Sequence, residues 1–540
     1  MLITMKSDKI DRDILYIVGR GFYVSRCLTC AVCACKIRIP AFPAQMTVDP
    51  FDKEILMAKT CFIGIDQGSS STKALVISTE GQVLATTRRV LSLPLRDENR
   101  IEHDPHEILR SVHEVLDESI QSARSSGTDI LGIGLSCQRS SCLIWNEKTG
   151  EPLSPVISWR DTRGHDLVRQ IAGDEAMIFK TTGLPLTSHY SASKLRWLKD
   201  NNPAANMDTT VFGTLSSFLS QRLCGAQRAL IDHTNAARTQ LLNIGSLAWD
   251  QSLLQLFGLD GIRLPEVRPT ALEFGRIQSA SGAYPLLACI GDQQAAMIGL
   301  GVIEKGDGGI NYGTGGFLMV NTGTDLMPVE GLMASVHYST EDTRRYLLEG
   351  SVNAVGDALL WLRDNLHLLA DFNEMDDLCW KASTDVLVFI GLNGTGSPYW
   401  ESGISSSIHG LTAASTAADI VRGTVEGTAF FMKDIVETIK SRGLEPRSFA
   451  ISGGLSSLTY LVQIQADILR KDVIVSREQE VSALGAALLA GLKHGAWSAA
   501  EIKKIASQGE TVSGVENPGA LRRYRRWKEL HRVTRSLDAV

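Results

Sequence analysis

The sequence predicts an α/β protein of two lobes, each built on the same duplicated unit. Three observations carry that reading. The first is a pair of glycine-and-hydroxyl turns, Gly64-Ile65-Asp66-Gln67-Gly68-Ser69-Ser70-Ser71-Thr72-Lys73 and Asn311-Tyr312-Gly313-Thr314-Gly315-Gly316. Each lies between apolar or glycine-rich runs, so each reads as strand, tight turn, strand. Such a turn offers backbone N–H groups and hydroxyls with little bulk, which suits phosphate oxygens. One turn per half predicts two lobes gripping one polyphosphate. The second observation is an order of strand, strand, strand, helix, strand, helix that occurs in both halves. The third is bulk: 540 residues, 44% of them apolar, suffice for two sizeable cores.

Taken in order, strands are expected over 61–66, 72–78 and, after the Glu80-Gly81 turn, 83–90. A helix follows. Asp104 suits its N-cap, Pro105 its first position, and Glu107 completes a capping box. Its apolar stripe is Ile108, Val112, Val115, Leu116 and Ile120, at helical spacing. Residues 130–135 read as a buried strand, and 142–145 lead to a Thr149-Gly150 turn. In the second half strands are expected over 308–312, 316–321 and 346–348, then a helix over about 352–366. A long helix over 420–440, a strand over 449–452, a helix over 458–469, a strand over 473–475 and a small-residue helix over 482–492 complete the pattern. No low-complexity linker intervenes. The boundary falls after Gly299-Leu300-Gly301, giving lobes of residues 58–300 and 301–540.

Charge and hydropathy exclude several classes. A net charge of −6, from 54 basic and 60 acidic residues, argues against a nucleic-acid binder, which would carry a basic surplus. No apolar run approaches the roughly 20 residues needed to span a bilayer. Of ten cysteines, Cys61, Cys137, Cys142, Cys224, Cys289 and Cys379 lie singly in mostly apolar contexts, as buried thiols of a reducing cytoplasm do. Cys27, Cys30, Cys33 and Cys35 crowd one stretch that resembles a metal or iron–sulfur run. No histidine is interleaved and the last gap is one residue, so free thiols are the better reading. That stretch belongs to residues 1–57, where Arg20 and Arg26 interrupt any signal-peptide core. Met57-Ala58-Lys59 stands where a natural start would, so residues 1–57 are expected to be a poorly packed upstream extension, dispensable for activity.

Longer motifs recur in a fixed order. They are Asp66-Gln67-Gly68, Glu102-His103-Asp104-Pro105, Gln138-Arg139, Trp159-Arg160-Asp161-Thr162-Arg163 and Thr234-Asn235-Ala236-Ala237-Arg238-Thr239. Gly291-Asp292-Gln293-Gln294-Ala295-Ala296, Tyr312-Gly313-Thr314-Gly315, Ser397-Pro398-Tyr399-Trp400, Gly453-Gly454 and Ala483-Leu484-Gly485-Ala486-Ala487 follow. The duplicated meander with its two turns resembles the two-lobed actin-like ATPase fold, of the ribonuclease-H-like type. Within it, residues 60–530 resemble the FGGY carbohydrate kinases, and among these the glycerol kinases.

The resemblance implies an ATP- and Mg²⁺-dependent kinase that transfers a phosphoryl group in line to a small polyol or sugar. Asp66 would hold Mg²⁺, directly or through water, as hard cations prefer; the alternative is an Asp fixing its own turn. Gly68, Ser69, Ser70 and Ser71 form the first phosphate turn. Lys73 either neutralises phosphate or is a solvated strand lysine. Gly313 and Thr314 match residues that contact the terminal phosphates of ATP. Gly453 and Gly454 match an adenosine-contacting turn, where close backbone approach needs glycine. Leu458 and Thr459 stand near where glycerol kinases carry Asn. Asp292 matches the general base that accepts the hydroxyl proton, a role compatible with capping the helix that follows.

Arg139, Trp159, Asp292 and Gln293 match polyol-holding positions. Arginine and carboxylate grip vicinal hydroxyls by charge-assisted bonds, and Trp159 is either an apolar wall or core packing. Ser140 stands where glycerol kinases have Glu. His189, or Tyr190 if the register slips by one, stands where they have Tyr. Loss of the carboxylate implies an enlarged pocket, so a tetritol, pentitol, xylulose or ribulose competes with glycerol as acceptor. Two other classes share the fold. A non-catalytic actin-like ATPase lacks the Gln138-Arg139 and 159–163 motifs, and a sugar sensor would add a helix-turn-helix. The expected partners are a small polyol or sugar and further copies of the chain, as a dimer or tetramer. No nucleic acid and no membrane span are expected, and the expected location is the cytoplasm.

Overall fold

The computed structural model describes residues 59–538, apart from 98 and 203–205, and two short strands near the start of the chain. The chain divides into two compact units, Met1–Met57 and Ala58–Val540. In the first, Tyr16–Val18 pairs antiparallel with Gly21–Tyr23. The four clustered cysteines, and the expectations attached to residues 1–57, otherwise lie outside the described residues.

Two mixed sheets organise the larger unit. The first contains β1 (Lys59–Gln67), β2 (Ser71–Ser78), β3 (Val83–Val90), β4 (Thr128–Cys137), β5 (Gly275–Ser279) and β6 (Gly282–Gly291), in spatial order β5-β6-β4-β1-β2-β3. The second contains β7 (Asp307–Tyr312), β8 (Gly316–Gly323), β9 (Met333–Ser339), β10 (Arg344–Val352), β11 (Ser448–Ser452), β12 (Val473–Ser476) and β13 (Gly509–Val512), in order β9-β10-β8-β7-β11-β12-β13. The runs β3-β2-β1-β4-β6 and β10-β8-β7-β11-β12 follow one plan. Each is an antiparallel meander extended by two strands parallel to its first strand, β1 or β7.

Local chemistry explains the elements and where expectation missed. Helix α1 (Pro105–Ser125) opens as expected, with the Asp104 carboxylate accepting the His106 N–H at 2.9 Å. Its stripe of Ile108, Val112, Val115, Leu116 and Ile120 is buried against Ile63, Ile65 and Val76 of the first sheet. Each fully buried side chain there contributes about 1.5–3 kcal/mol. The capping box does not form: Glu107 accepts the Ser92 N–H instead, at 2.8 Å. The strands β6 and β9 were not expected. β9 is buried at every residue and β6 at its last six, so neither shows the alternation that marks a half-exposed strand. The helix expected over 352–366 is shorter. Val352 closes β10 opposite Gly316, and the helix runs Gly356–Asp364.

Helix α2 (Asp292–Gly299) follows β6, α3 (Gly356–Asp364) follows β10, α4 (Ala417–Lys440) precedes β11, and α5 (Val481–His494) follows β12. α5 belongs to the second half by sequence but packs against β1 and β4 of the first sheet and against α2. Backbones touch there. A Cβ on Gly64 would lie 1.8 Å from the Ala483 carbonyl oxygen, and one on Gly134 2.0 Å from that of Ala486. On the α2 side, a Cβ on Gly485 would lie 1.8 Å from the Ala295 oxygen. Gly64 and Gly134 on the strands and Gly485 on α5 are therefore a requirement of this docking, which ties the halves together.

Candidate active site

Three parallel strands bring the charged residues to one edge. Asp66 lies opposite Ser136, Gln67 opposite Cys137, and Gly291 opposite Cys137. Asp66 near the end of β1, Arg139 just past β4 and Asp292 just past β6 therefore share the carboxyl ends of neighbouring strands, where open α/β sheets bind ligands. The Asp66 carboxylate accepts the Ser136 hydroxyl at 3.0 Å. Burial and the nearby Asp292 charge push its carboxyl up to about 7, against Ser136 and Lys73. Asp292 is the first residue of α2, whose cap is Gly291. Its Oδ1 accepts the Gln293 N–H at 2.7 Å and lies 3.3 Å from Arg139 Nε. Burial raises its carboxyl, with Arg139 opposing.

The first glycine-and-hydroxyl turn is held by backbone and side-chain bonds together. Gly68 N–H donates to the Ser71 carbonyl at 3.0 Å, and Gln138 N–H to the Gln67 carbonyl at 2.9 Å. The Ser69 hydroxyl donates to Gln138 Oε1 at 3.2 Å and accepts the Trp159 indole N–H at 3.0 Å. Trp159 is thus bonded to the first turn. Ser70 is exposed and Ser71 buried. Lys73 pairs with Glu480, the cap of α5, at 2.6 Å.

His189 is exposed beside Trp159, their ring centroids 5.2 Å apart, whereas Tyr190 is buried with its hydroxyl on the Met333 sulfur at 3.3 Å. Ser140 is wholly buried at φ +63°, and its hydroxyl donates to the Arg238 carbonyl at 3.1 Å. It presents no hydroxyl to open space. Gln293 keeps a buried Oε1 without a partner. Sequence reasoning passed over Lys194. It is fully buried on the helix Ser191–Asn201 and donates to the carbonyls of Ser158 (3.1 Å) and His189 (2.7 Å). A lysine between the apolar positions Ala192, Leu195 and Leu198 was the available signal. It braces the backbone under both aromatic residues.

The second turn is held by backbone. Gly313 N–H donates to the Gly315 carbonyl at 2.9 Å. The carbonyls of Thr314 and Gly313 accept the N–H groups of Val355 and Gly356, at 3.0 and 3.1 Å, leaving the Thr314 side chain exposed. Gly453 follows β11 at the same edge. Its φ is +96°, and a Cβ there would lie 2.4 Å from the Tyr312 oxygen, so the fold itself demands glycine. Gly454 faces open space, with nothing within 4 Å of an added Cβ. A cavity of about 600 Å³ lined by Leu93, His103, Pro105 and Pro152 shares none of these residues. Among the described residues no cluster of three or more His, Cys, Asp or Glu could hold a metal alone, and no helix is long and apolar enough to cross a membrane.

Two sheets of one plan, a glycine turn on each and a carboxylate–arginine pair at the strand ends define a two-domain phosphotransferase. Comparison with known proteins gives its family. The model for the N-terminal domain of the FGGY family of carbohydrate kinases matches residues 61–299, and that for the C-terminal domain residues 308–494. The chain belongs to this family, and it is a phosphotransferase with an alcohol acceptor that uses ATP. It is 33% identical to a glycerol kinase of Enterococcus casseliflavus, over 88% of this chain and 97% of that protein. It is 34% identical to one of Acidiphilium cryptum, over 80% and 90%. The crystal structure of Plasmodium falciparum glycerol kinase with ADP matches with a TM-score of 0.83 at 30% identity, covering 88% of this chain and 98% of that one.

Proposed function

We propose that the chain phosphorylates a hydroxyl of a small polyol, glycerol first among them, from ATP with Mg²⁺. The observation that carries this reading is the Arg139–Asp292 pair at 3.3 Å beside Asp66. Asp292 accepts the proton of the attacking hydroxyl, and its raised carboxyl makes it a better base than an ordinary aspartate. Arg139 and Gln293, whose Oε1 lacks a partner, orient the acceptor, with Trp159 as its apolar wall. Gly68 to Ser71 and Gly313 with Thr314 hold the phosphates, and Gly453 with Gly454 receives the adenosine. A carboxylate at the strand ends, Asp66, fits a divalent cation that keeps its waters and substrate oxygens. When bound, Mg²⁺ neutralises phosphate charge; Asp66 is the residue that would hold it.

Glycerol is favoured by the relatives and by the burial of Ser140. The exposed His189 beside Trp159 supports a larger polyol as the second reading. Residues 58–300 and 301–540 act as the two lobes, with residues 1–57 outside the catalytic body. The reading includes a cytoplasmic homo-oligomer, in keeping with six free thiols among the described residues. The test is ADP release from ATP and Mg²⁺ across glycerol, a tetritol, a pentitol, xylulose and ribulose. Glycerol is expected to give the highest kcat/KM. No stimulation by any acceptor would overturn the reading.

A further inference from the structure

Glu349 has no task in this scheme. It lies on β10, opposite Met319 of β8 and Met333 of β9, and its side chain is 1% exposed. Two guanidiniums converge on it from the other domain. Arg139 reaches it through Nη1 at 3.2 Å and Nη2 at 3.3 Å. Arg238, at the end of the helix His233–Ala237, reaches it through Nη2, which also donates to Ser335 Oγ at 2.7 Å. Burying a carboxylate is costly, and packing alone would favour an apolar residue on a strand whose neighbours are Leu347 and Leu348. Burial would raise this carboxyl, yet the two arginines hold it below the ordinary range, so it stays charged.

The charge has a geometric consequence at the reacting centre. Arg139 is divided: its Nη atoms turn to Glu349, Nη1 also meets Gln294 Oε1 at 3.3 Å, and only Nε faces Asp292. A guanidinium given wholly to Asp292 would form a bidentate pair, the strongest arrangement open to the two groups. We propose that Glu349 is a positioning residue for phosphoryl transfer, which draws Arg139 off Asp292 so that Asp292 remains free to take the acceptor's proton. This rests on Asp292 being the general base. The charged groups facing Asp292 are Arg139 past β4, Glu349 on β10, Arg238 and, from β1, Asp66.

The test is the pH profile of kcat/KM for the polyol. Glu349→Gln removes a like charge near Asp292 and releases Arg139 to pair with it. Both changes favour the charged form of Asp292, so the acid limb should move about one unit lower, with plateau kcat falling about tenfold as the base weakens and KM for ATP unchanged. Arg238→Gln leaves Glu349 paired with Arg139 and removes a positive charge, so it should move the limb upward; it serves where Glu349→Gln does not fold. Glu349→Asp keeps the charge and should hold the limb near wild type. An acid limb that stays put in Glu349→Gln, or that moves alike in Glu349→Gln and Glu349→Asp, overturns the inference. The general-base reading has its own control: it fails if Asp292→Asn keeps kcat within tenfold, whatever the Glu349 variants do.

Discussion

The turn after β1 and the turn after β7 hold the same place in sheets of the same plan, but different groups hold them. In the first half, Ser69 is pinned by Gln138 and Trp159, and Asp66 by Ser136. In the second, the carbonyls of Gly313 and Thr314 cap the start of α3, and Gly453 lies against the Tyr312 backbone. The difference follows from what separates the parallel strands. Between β4 and β6 the chain inserts residues 138–274 and β5, which bring Arg139, Trp159, His189 and Lys194 over the strand ends. Between β11 and β12 it inserts only a short turn and the helix Thr459–Leu469. The frame occurs twice; side chains pin the turn in one copy, and in the other the turn rests on backbone contacts.

That contrast can be broken most severely at Asp292. Asp292→Asn should lower kcat by about 10²- to 10⁴-fold, the range for a lost general base, while nucleotide affinity by calorimetry stays near wild type. A loss under tenfold would reduce Asp292 to a helix-terminal residue.

The next effect is pH-dependent and belongs to the first half alone. The Asp66 carboxyl sits at about 7 without metal, and Mg²⁺ needs its charged form. As pH falls below that value the proton competes, so half-saturating Mg²⁺ should rise about tenfold per unit, and should be flat above it. Asp66→Asn should abolish the slope. A Mg²⁺ requirement independent of pH in the wild type would remove Asp66 from the metal site.

In the backbone-built half, a single methyl should matter. Gly453→Ala meets the Tyr312 oxygen and a φ of +96°, so ATP affinity should fall by about tenfold or more, from roughly 1–2 kcal/mol of backbone strain alone. Gly454→Ala meets nothing in the protein, so any loss of ATP affinity there reports how closely the nucleotide approaches. Wild-type affinity in Gly453→Ala would show that this turn does not shape the nucleotide site.

The smallest change sharpens the link between turn and acceptor. Trp159→Phe keeps an aromatic wall but deletes the indole N–H bond to Ser69, worth about 1 kcal/mol. A few-fold fall in kcat with KM for the polyol unchanged is expected. A rise in KM alone would return Trp159 to a plain wall.

Much of this molecule was determined by sequence alone, wherever a property is local. A tight turn needs Gly453, a cap needs Asp104, and a helical stripe needs Ile108 to Ile120 at fixed spacing; each is written in neighbouring residues. The motif residues Asp66, Arg139 and Asp292 were likewise nameable singly. Tertiary structure decided what depends on partners distant in the chain. It assigned Glu107 to Ser92 rather than to its own helix, and buried β6 and β9 so fully that no alternation marked them. It docked α5 on the opposite half through glycine contacts, and turned Ser140 onto the Arg238 carbonyl. It also gave meaning to Lys194 and Glu349, charged residues that are costly to bury until the carbonyls or arginines that satisfy them arrive from elsewhere. The physical reason is one of range: dihedral preference and side-chain spacing act over a few residues, whereas burial and charge pairing depend on which surfaces the fold brings together.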